Sequence, residues 1–436
     1  MHTPFQQFPV QQFAATKNRI LSWCQGFSVC AFLDSHSYGL PHQSHACLVA
    51  CGVSDSVAAE PGNALEALQR FRKQHKGKWI FGHFSYDLKN EIEPDAFSEK
   101  SSRIGFPTLF FYVPQYILRL TNDQLYLHAS TGDADEVMRQ IQSSPDLPTQ
   151  ALQRPIVLQE RISAQVYQQE IQHLLAHIHR GDCYEINYCM EFYANDVQLQ
   201  PLSAYKILSA LSPNPFSGYY RVNDAHLMCA SPERYLKRQG NQLISQPIKG
   251  TMRRNTQDAA ADDQLGKTLQ TDRKERSENV MVVDLVRNDL SRVCTQGSVK
   301  VSELFGIYTF PQVHQMISTV CGEVSEETAF EDIIRATFPM GSMTGAPKRR
   351  VMQLIEQYEH MRREIFSGAI GYVDAEGNFD FNVVIRSLMY NASSRYLSYM
   401  VGSGITAYAV PEKEYEECLL KAAAIRTLLE QASSSS

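Results

Sequence analysis

Alternation and helical periodicity divide the chain into short segments. In the first 140 residues, "FSVCAFLDS" and "HACLVACGV" read as strands, and "ALEALQRFRKQ" (64–74) reads as an amphipathic helix. "KWIFGHFSYDL" and "GFPTLFFYVPQYILRLTNDQLYLHAS" are aromatic-rich strand segments, the second folded back at a "TNDQ" turn. "SSPDLPTQALQRP" (143–155) is polar and Pro-bearing, a connection either between domains or across one large domain. "SAQVYQQEIQHLLAHIHRGD" carries both helix signals, a capping Ser163 and a terminating Gly181. "CYEINYCMEFYA" then alternates like a strand, and two strands flank a "QGNQ" turn. "DRKERSENVMVVDLVRNDLSRV" and "PKRRVMQLIEQYE" predict helices. Antiparallel strands with "AEGN" and "NASS" turns follow, then one closing helix over about 411–431 and a frayed tail at 432–436. Strands interleaved irregularly with helices predict an α+β fold.

Composition narrows the class without naming a function. The chain has 436 residues, 43% hydrophobic and 20% charged, with a formal net charge of −6. That is globular, and it offers no basic stripe for nucleic acid or an anionic membrane. The ten cysteines show no CxxC spacing, which predicts free thiols in a reducing cytosol. No signal-peptide core stands at the N-terminus, and no apolar run nears the ~20 residues of a membrane helix. The expectation is a soluble cytoplasmic protein.

Several places could carry chemistry. Glu414, Glu417 and Lys421 fall on one helix face, either a solvated acidic stripe or a site for a hard cation. Glu278 precedes the apolar run "VMVV", at the edge of a buried face, where a carboxylate would want a cation. The loop "FPMGSMTGAPK", with Ser342 and Thr344, stands before a helix and could offer free N–H groups to an anion. "VGSGITA" is either a backbone-lined anion site or a Gly-weakened strand. His314, Tyr372 and Arg386 each sit in apolar contexts. In "QPIKGTMRR", Lys249 is either a surface charge or a buried reactive amine.

Taken in order, "SPERYL", "PIKGT", "RSENVMVVDLVRNDLSRV", "FPMGSMTGAPK", "GAIGYV", "VVIRSL", "GSGI" and "EYEECLLKA" resemble the chorismate-utilising enzymes. The likeness covers about 157–431 as the chorismate-binding region, with a weaker match over 1–150. It implies large antiparallel sheets packed as a sandwich with helices outside. It implies Mg²⁺ held by Glu278 and Glu417, with Glu414 nearby, gripping the ring carboxylate of chorismate. Arg386, Tyr372, Gly402 and Gly404 would hold the enolpyruvyl carboxylate. Ser342 and Thr344 would border the substrate, Lys421 would support the carboxylates, and Glu233 and His314 would stand near the departing 4-hydroxyl.

Lysine in "PIKGT" resembles the aminodeoxychorismate synthase branch, whereas anthranilate synthases read "PIAGT". In that branch the lysine attacks C2 while the 4-hydroxyl leaves, and ammonia then displaces it at C4. A neutral amine is needed, so a lowered lysine pKa is expected, through desolvation or a nearby cation. The family strand commonly reads "GDxYQVNL", and here it is "GDCYEINY", with Glu185 in place of glutamine. Glu185 could hold ammonium and take its proton, or pair with a basic neighbour. No GxCxG nucleophile elbow is present, so the resemblance implies a separate glutamine amidotransferase subunit as the source of ammonia. "FLDSHSY" (32–38) loosely matches a segment where relatives bind tryptophan.

Overall fold

The computed structural model describes residues 5–38, 45–152, 154 and 156–430, so the tail expected at 432–436 lies outside the described residues. Every strand pairing among them is antiparallel. One run of pairings joins Gln6–Pro9, Gln124–Ala129, Leu109–Leu120, Cys47–Ala59, Val29–Asp34 and Phe216–Val222. It continues through Ala225–Ser231, Ser387–Asn391, Tyr396–Ile405 and Glu185–Ala194. A second run starts from the same Leu109–Leu120 and passes through Ile80–Phe84, Ala369–Val373, Phe379–Asn382, Arg234–Gln239 and Gln242–Gln246. It ends on Val313–Glu323, which also pairs with Ile248–Arg253 and Lys300–Thr309.

Alternating apolar residues explain the sandwich. Ala31, Tyr220 and Leu227 of the first run share one buried cluster with Phe81, Tyr112 and Phe381 of the second. Helices cover the outside. Ile171 and Leu174 of Ala164–Arg180 and Val351 and Leu354 of Lys348–Tyr358 pack on the first sheet, in a cluster of their own. Leu65 and Leu68 of Ala64–Gln74 and Ile333 of Phe330–Thr337 join the other cluster. Burying each such side chain stabilises the fold by about 1.5–3 kcal/mol. Because Val29–Asp34 pairs with Phe216–Val222, and Ile80–Phe84 with Ala369–Val373, strands from both sides of residue 150 interleave. Strands before and after the connection at 143–155 are thus hydrogen-bonded neighbours in the same sheets.

Helix ends follow the sequence signals closely. The Ser163 hydroxyl accepts from Val166 N–H, and Gly181 closes that helix at φ +88°. Helix 64–74 falls where its periodicity places it. The closing helix is two, Pro411–Lys421 and Ala423–Glu430. Ala422, fully buried, breaks the run, and the turn lets Ile425, Leu428 and Leu429 reach the core. The polar stretch before residue 272 holds a helix of its own, Ala259–Thr271, capped by the Asp258 carboxylate. All ten cysteines are free thiols, and no described helix is long and apolar enough to cross a membrane.

Candidate active site

Lys249 owes its position to an irregularity in its strand. Ile248 pairs with Ile317 and Thr251 with Gln315, so the strand accommodates one extra residue between them. Such a bulge bends the strand and re-aims a side chain. Gly250 absorbs the distortion at φ +94°, a conformation glycine adopts without strain. The lysine side chain is thereby turned inward, only 14% exposed, with Nζ 2.5 Å from Glu185 Oε1. Gly404, on the neighbouring strand Tyr396–Ile405, leaves the space this pair occupies. A Cβ at that position would overlap Lys249 Nζ and stand 3.0 Å from Glu185 Oε1.

The charge on Lys249 corrects the expectation of a lowered pKa. Burial disfavours its ammonium, but the carboxylates of Glu185, Glu278 and Glu417 outweigh burial and hold the lysine above its usual range. The resting amine is protonated.

Glu233 shows the opposite balance. It lies in the turn between Ala225–Ser231 and Arg234–Gln239, and burial pushes its carboxyl up to about 7, against smaller lowering effects of Ser342, Lys249 and Arg386. A carboxyl that is still substantially protonated near neutrality can donate a proton. The Ser342 hydroxyl lies beside it, buried and without a full hydrogen bond of its own. Arg386 has the left-handed backbone of a strained position, φ +51°. Its guanidinium feels the Glu233 carboxylate while burial pulls its pKa down, and among the described residues no hydrogen bond or salt bridge holds it. A desolvated arginine without a partner is suited to receive an anion.

Glu278, on helix Arg273–Ser291, and Glu417, on Pro411–Lys421, are close enough to feel each other's charge. Burial raises Glu278, against the pull of Lys249 and Lys274. Glu417 is also penalised by burial, yet Lys421, Lys249 and Lys274 bring it below the usual carboxylate range. Glu414 is buried and raised by that burial and by Glu417. Among the described residues, no three His, Cys, Asp or Glu side chains stand together as a ready metal cluster. The donor chemistry nevertheless fits Mg²⁺, a hard cation that takes one or two carboxylates and fills its remaining positions with water and ligand oxygens.

Other residues singled out in the sequence are held in supporting positions. Lys421 Nζ donates to the Gly402 carbonyl at 2.9 Å and pairs with Glu417 at 2.7 Å, tying helix to strand. "VGSGITA" is strand rather than cradle up to Ile405, with Gly402 opposite Cys189 and Gly404 opposite Asn187. The loop "FPMGSMTGAPK" is not an open helix N-terminus. Thr344 N–H donates to the Gly341 carbonyl, its hydroxyl donates to the Met340 carbonyl, and Gly345–Ala346 pairs with Ile186 and Glu185. Two further residues are engaged in contacts of their own. Both ring nitrogens of His314 are engaged, Nδ1 with Thr309 Oγ1 and Nε2 with Asp262 Oδ1, each at 3.0 Å. The Tyr372 ring stacks on Trp79, 5.4 Å between centroids, and lines a separate cavity with Asp34 and Ser35 of the "FLDSHSY" segment.

Sequence reasoning assigned nothing to Asp262, hidden in an unanticipated helix, or to Arg363. Fully buried, Arg363 donates to the carbonyls of Met343 at 2.7 Å and Asn187 at 2.8 Å, and pairs with Glu359. It fixes the Ser342 loop to the strand that carries Glu185. Its charged neighbours Arg362 and Glu364 gave no sequence signal for it.

Comparison with known proteins identifies the family. The family model described as chorismate binding enzyme matches residues 41–427. An anthranilate synthase component I-like protein of Synechocystis sp. is 35% identical over 81% of this chain and 73% of its own length. Aminodeoxychorismate synthase component 1 of Salmonella typhimurium is 34% identical over 77% of this chain and 73% of its own. The solved menaquinone-specific isochorismate synthase of Escherichia coli shares the fold at a TM-score of 0.76, with 20% identity, 98% of this chain covered and 95% of the other. The chain belongs to the chorismate-binding enzyme family.

Proposed function

We propose that this enzyme is an aminodeoxychorismate synthase component, converting chorismate and ammonia to 4-amino-4-deoxychorismate and water. The observation that carries the reading is Lys249, turned inward by its bulge and near enough to act on the buried carboxyl of Glu233, which burial raises to about 7. Chorismate carries two carboxylates and a poor leaving group at C4. Arg386 receives the enolpyruvyl carboxylate, and Ser342 borders the ring. The Lys249 amine forms a bond to C2, the ring double bonds shift, and the C4–O bond breaks. Glu233 supplies the proton with which that oxygen leaves as water. Ammonia then bonds to C4, the double bonds shift back, and the C2–N bond to Lys249 breaks.

In the same reading Glu278 and Glu417 would hold Mg²⁺, with Glu414 nearby, and the ion would supply positive charge for the ring carboxylate. Glu278→Gln is expected to weaken the Mg²⁺ dependence and lower kcat/KM for chorismate about 10-fold or more, by analogy with disturbed metal shells. A Mg²⁺ titration identical to that of the unaltered enzyme would refute the assignment. Ammonia is supplied by a glutamine amidotransferase subunit, consistent with the component numbering in the Salmonella relative's name.

Product analysis tests the reading directly. The purified chain, given chorismate, excess ammonium salt and Mg²⁺, is expected to release the 4-amino compound. Release of anthranilate would assign direct attack of ammonia at C2, and release of isochorismate would assign attack of water there; either would replace the proposal.

A further inference from the structure

Lys249 must lose a proton before it can attack, and its amine is hydrogen-bonded to Glu185 Oε1 at 2.5 Å. The groups around the amine are few. Glu185 comes from strand Glu185–Ala194, Glu278 from helix Arg273–Ser291 and Glu417 from helix Pro411–Lys421, with Glu233 on the turn before Arg234. Gly404 stands beside the pair without a side chain. Of the four carboxylates, only Glu185 makes a hydrogen bond or ion pair with Nζ.

The surroundings of Glu185 decide where the proton can go. Its side chain is 3% exposed, Oε1 is spent on Lys249, and Oε2 is buried without a partner. Lys249 is thus the sole donor to this carboxylate among the described residues. If solvent removed the lysine proton, a lone buried carboxylate would remain, a costly state. Transfer within the pair removes the charges of Lys249 and Glu185 together.

We propose that Glu185 is the base of the reaction: Oε1 takes the proton of Lys249 Nζ as the amine attacks, and returns it when the amine departs. This rests on the reading of Lys249 as the nucleophile. In the forward half, the ammonium gives one proton to Glu185, the freed electron pair forms the bond to C2, and the leaving oxygen takes its proton from Glu233. The nitrogen on C2 then still carries a proton beyond its neutral count, and gives it up to the Glu233 carboxylate. In the second half ammonia bonds to C4, the electron pair of the C2–N bond returns to the Lys249 nitrogen, and the proton lost by the new C4 ammonium passes to that nitrogen. Glu185 then returns its own proton, restoring the Lys249 ammonium. The sum is chorismate plus ammonia giving the 4-amino product plus water, with both carboxylates restored. A glutamine in this place, as in the pattern "GDxYQVNL", could orient the amine but could not carry its proton.

The test compares Glu185→Gln with the unaltered enzyme as a ratio of kcat/KM for chorismate across pH, with saturating ammonium and Mg²⁺. The ratio cancels any limb due to Glu233. In the variant the lysine proton must leave to solvent, so the expected loss is about 10²-fold at neutral pH, the usual scale for a general base. The ratio should recover by up to about tenfold per unit as pH rises, the slope of one ionisation. A second readout needs no turnover. With its nearest carboxylate gone, Lys249 becomes less firmly protonated, so acetylation at fixed pH, measured by peptide mass spectrometry, should label it several-fold faster. Glu185→Asp, with the carboxylate retracted by one methylene, should keep part of the activity and a flatter pH ratio than the glutamine variant. A ratio constant with pH, or unchanged labelling of Lys249, overturns the proposal. If instead Lys249→Ala makes the 4-amino product at the wild-type rate, the nucleophile reading itself has failed. An inactive Lys249→Ala beside a fully active Glu185→Gln removes Glu185 alone.

Discussion

Replacing Lys249 by alanine is expected to remove most formation of the 4-amino product while leaving chorismate bound. The amine is the nucleophile in this reading, and its loss deletes the covalent step. Where nothing replaces a positioned nucleophile the cost reaches several powers of ten. Ammonia can partly replace it here, so a loss on the order of 10³-fold is expected, about 4 kcal/mol of barrier. The residual turnover should change character, since ammonia that reaches C2 directly gives a 2-amino product. The substitution also leaves Glu185 buried without its hydrogen-bonded cation, so the variant's fold is checked alongside its activity. Chromatography of the products decides the matter, together with mass spectrometry of the unaltered enzyme quenched without ammonia. A chorismate-derived mass on Lys249 supports the mechanism, and 4-amino product from the alanine variant at the wild-type rate refutes it.

The second large effect belongs to Glu233. Its carboxyl is raised by burial to about 7, and the proton-bearing form is the one that assists departure of the hydroxyl. The sign follows from that assignment. Below about 7 the acid is present, and above it kcat/KM for chorismate at saturating ammonia should fall by up to tenfold per pH unit. Glu233→Gln keeps the shape and a hydrogen-bond donor but has no proton to give. The expected loss is about 10²–10⁴-fold, with disappearance of that alkaline limb. A glutamine variant that retained both rate and limb would assign the proton donor elsewhere.

Much of this was legible in the sequence, because motif order constrains strongly even where single residues do not. The succession from "SPERYL" to "EYEECLLKA" carried the family and, through it, the antiparallel sandwich. Helices with a cap at each end, such as Ala164–Arg180, were readable locally because Ser163 and Gly181 act within one turn. Glu185, Lys249, Glu278 and Glu417 were readable as residues but not as an electrostatic group. The protonation of Lys249 depends on carboxylates from three elements distant in sequence, and residue type alone points the other way, since burial by itself would discharge a lysine. Helix Ala259–Thr271 was hidden by its polarity: only Asp262, Gly266 and Leu269 are buried along it. Tyr372 was read from its motif, yet its ring follows the aromatic packing of Trp79 and Phe81. The break at Ala422 had no glycine or proline to announce it.

The extra residue in the strand at Lys249 separates two kinds of inheritance. Gly250 carries the backbone distortion, and the pairing on either side is fixed by Ile248 and Thr251, so the side chain at 249 contributes nothing to the register. A point change there alters which atom meets the substrate first and leaves the scaffold untouched. Descent can therefore explore new reactions at this position one codon at a time, without passing through an unfolded intermediate, and a single architecture can diversify its chemistry faster than its shape.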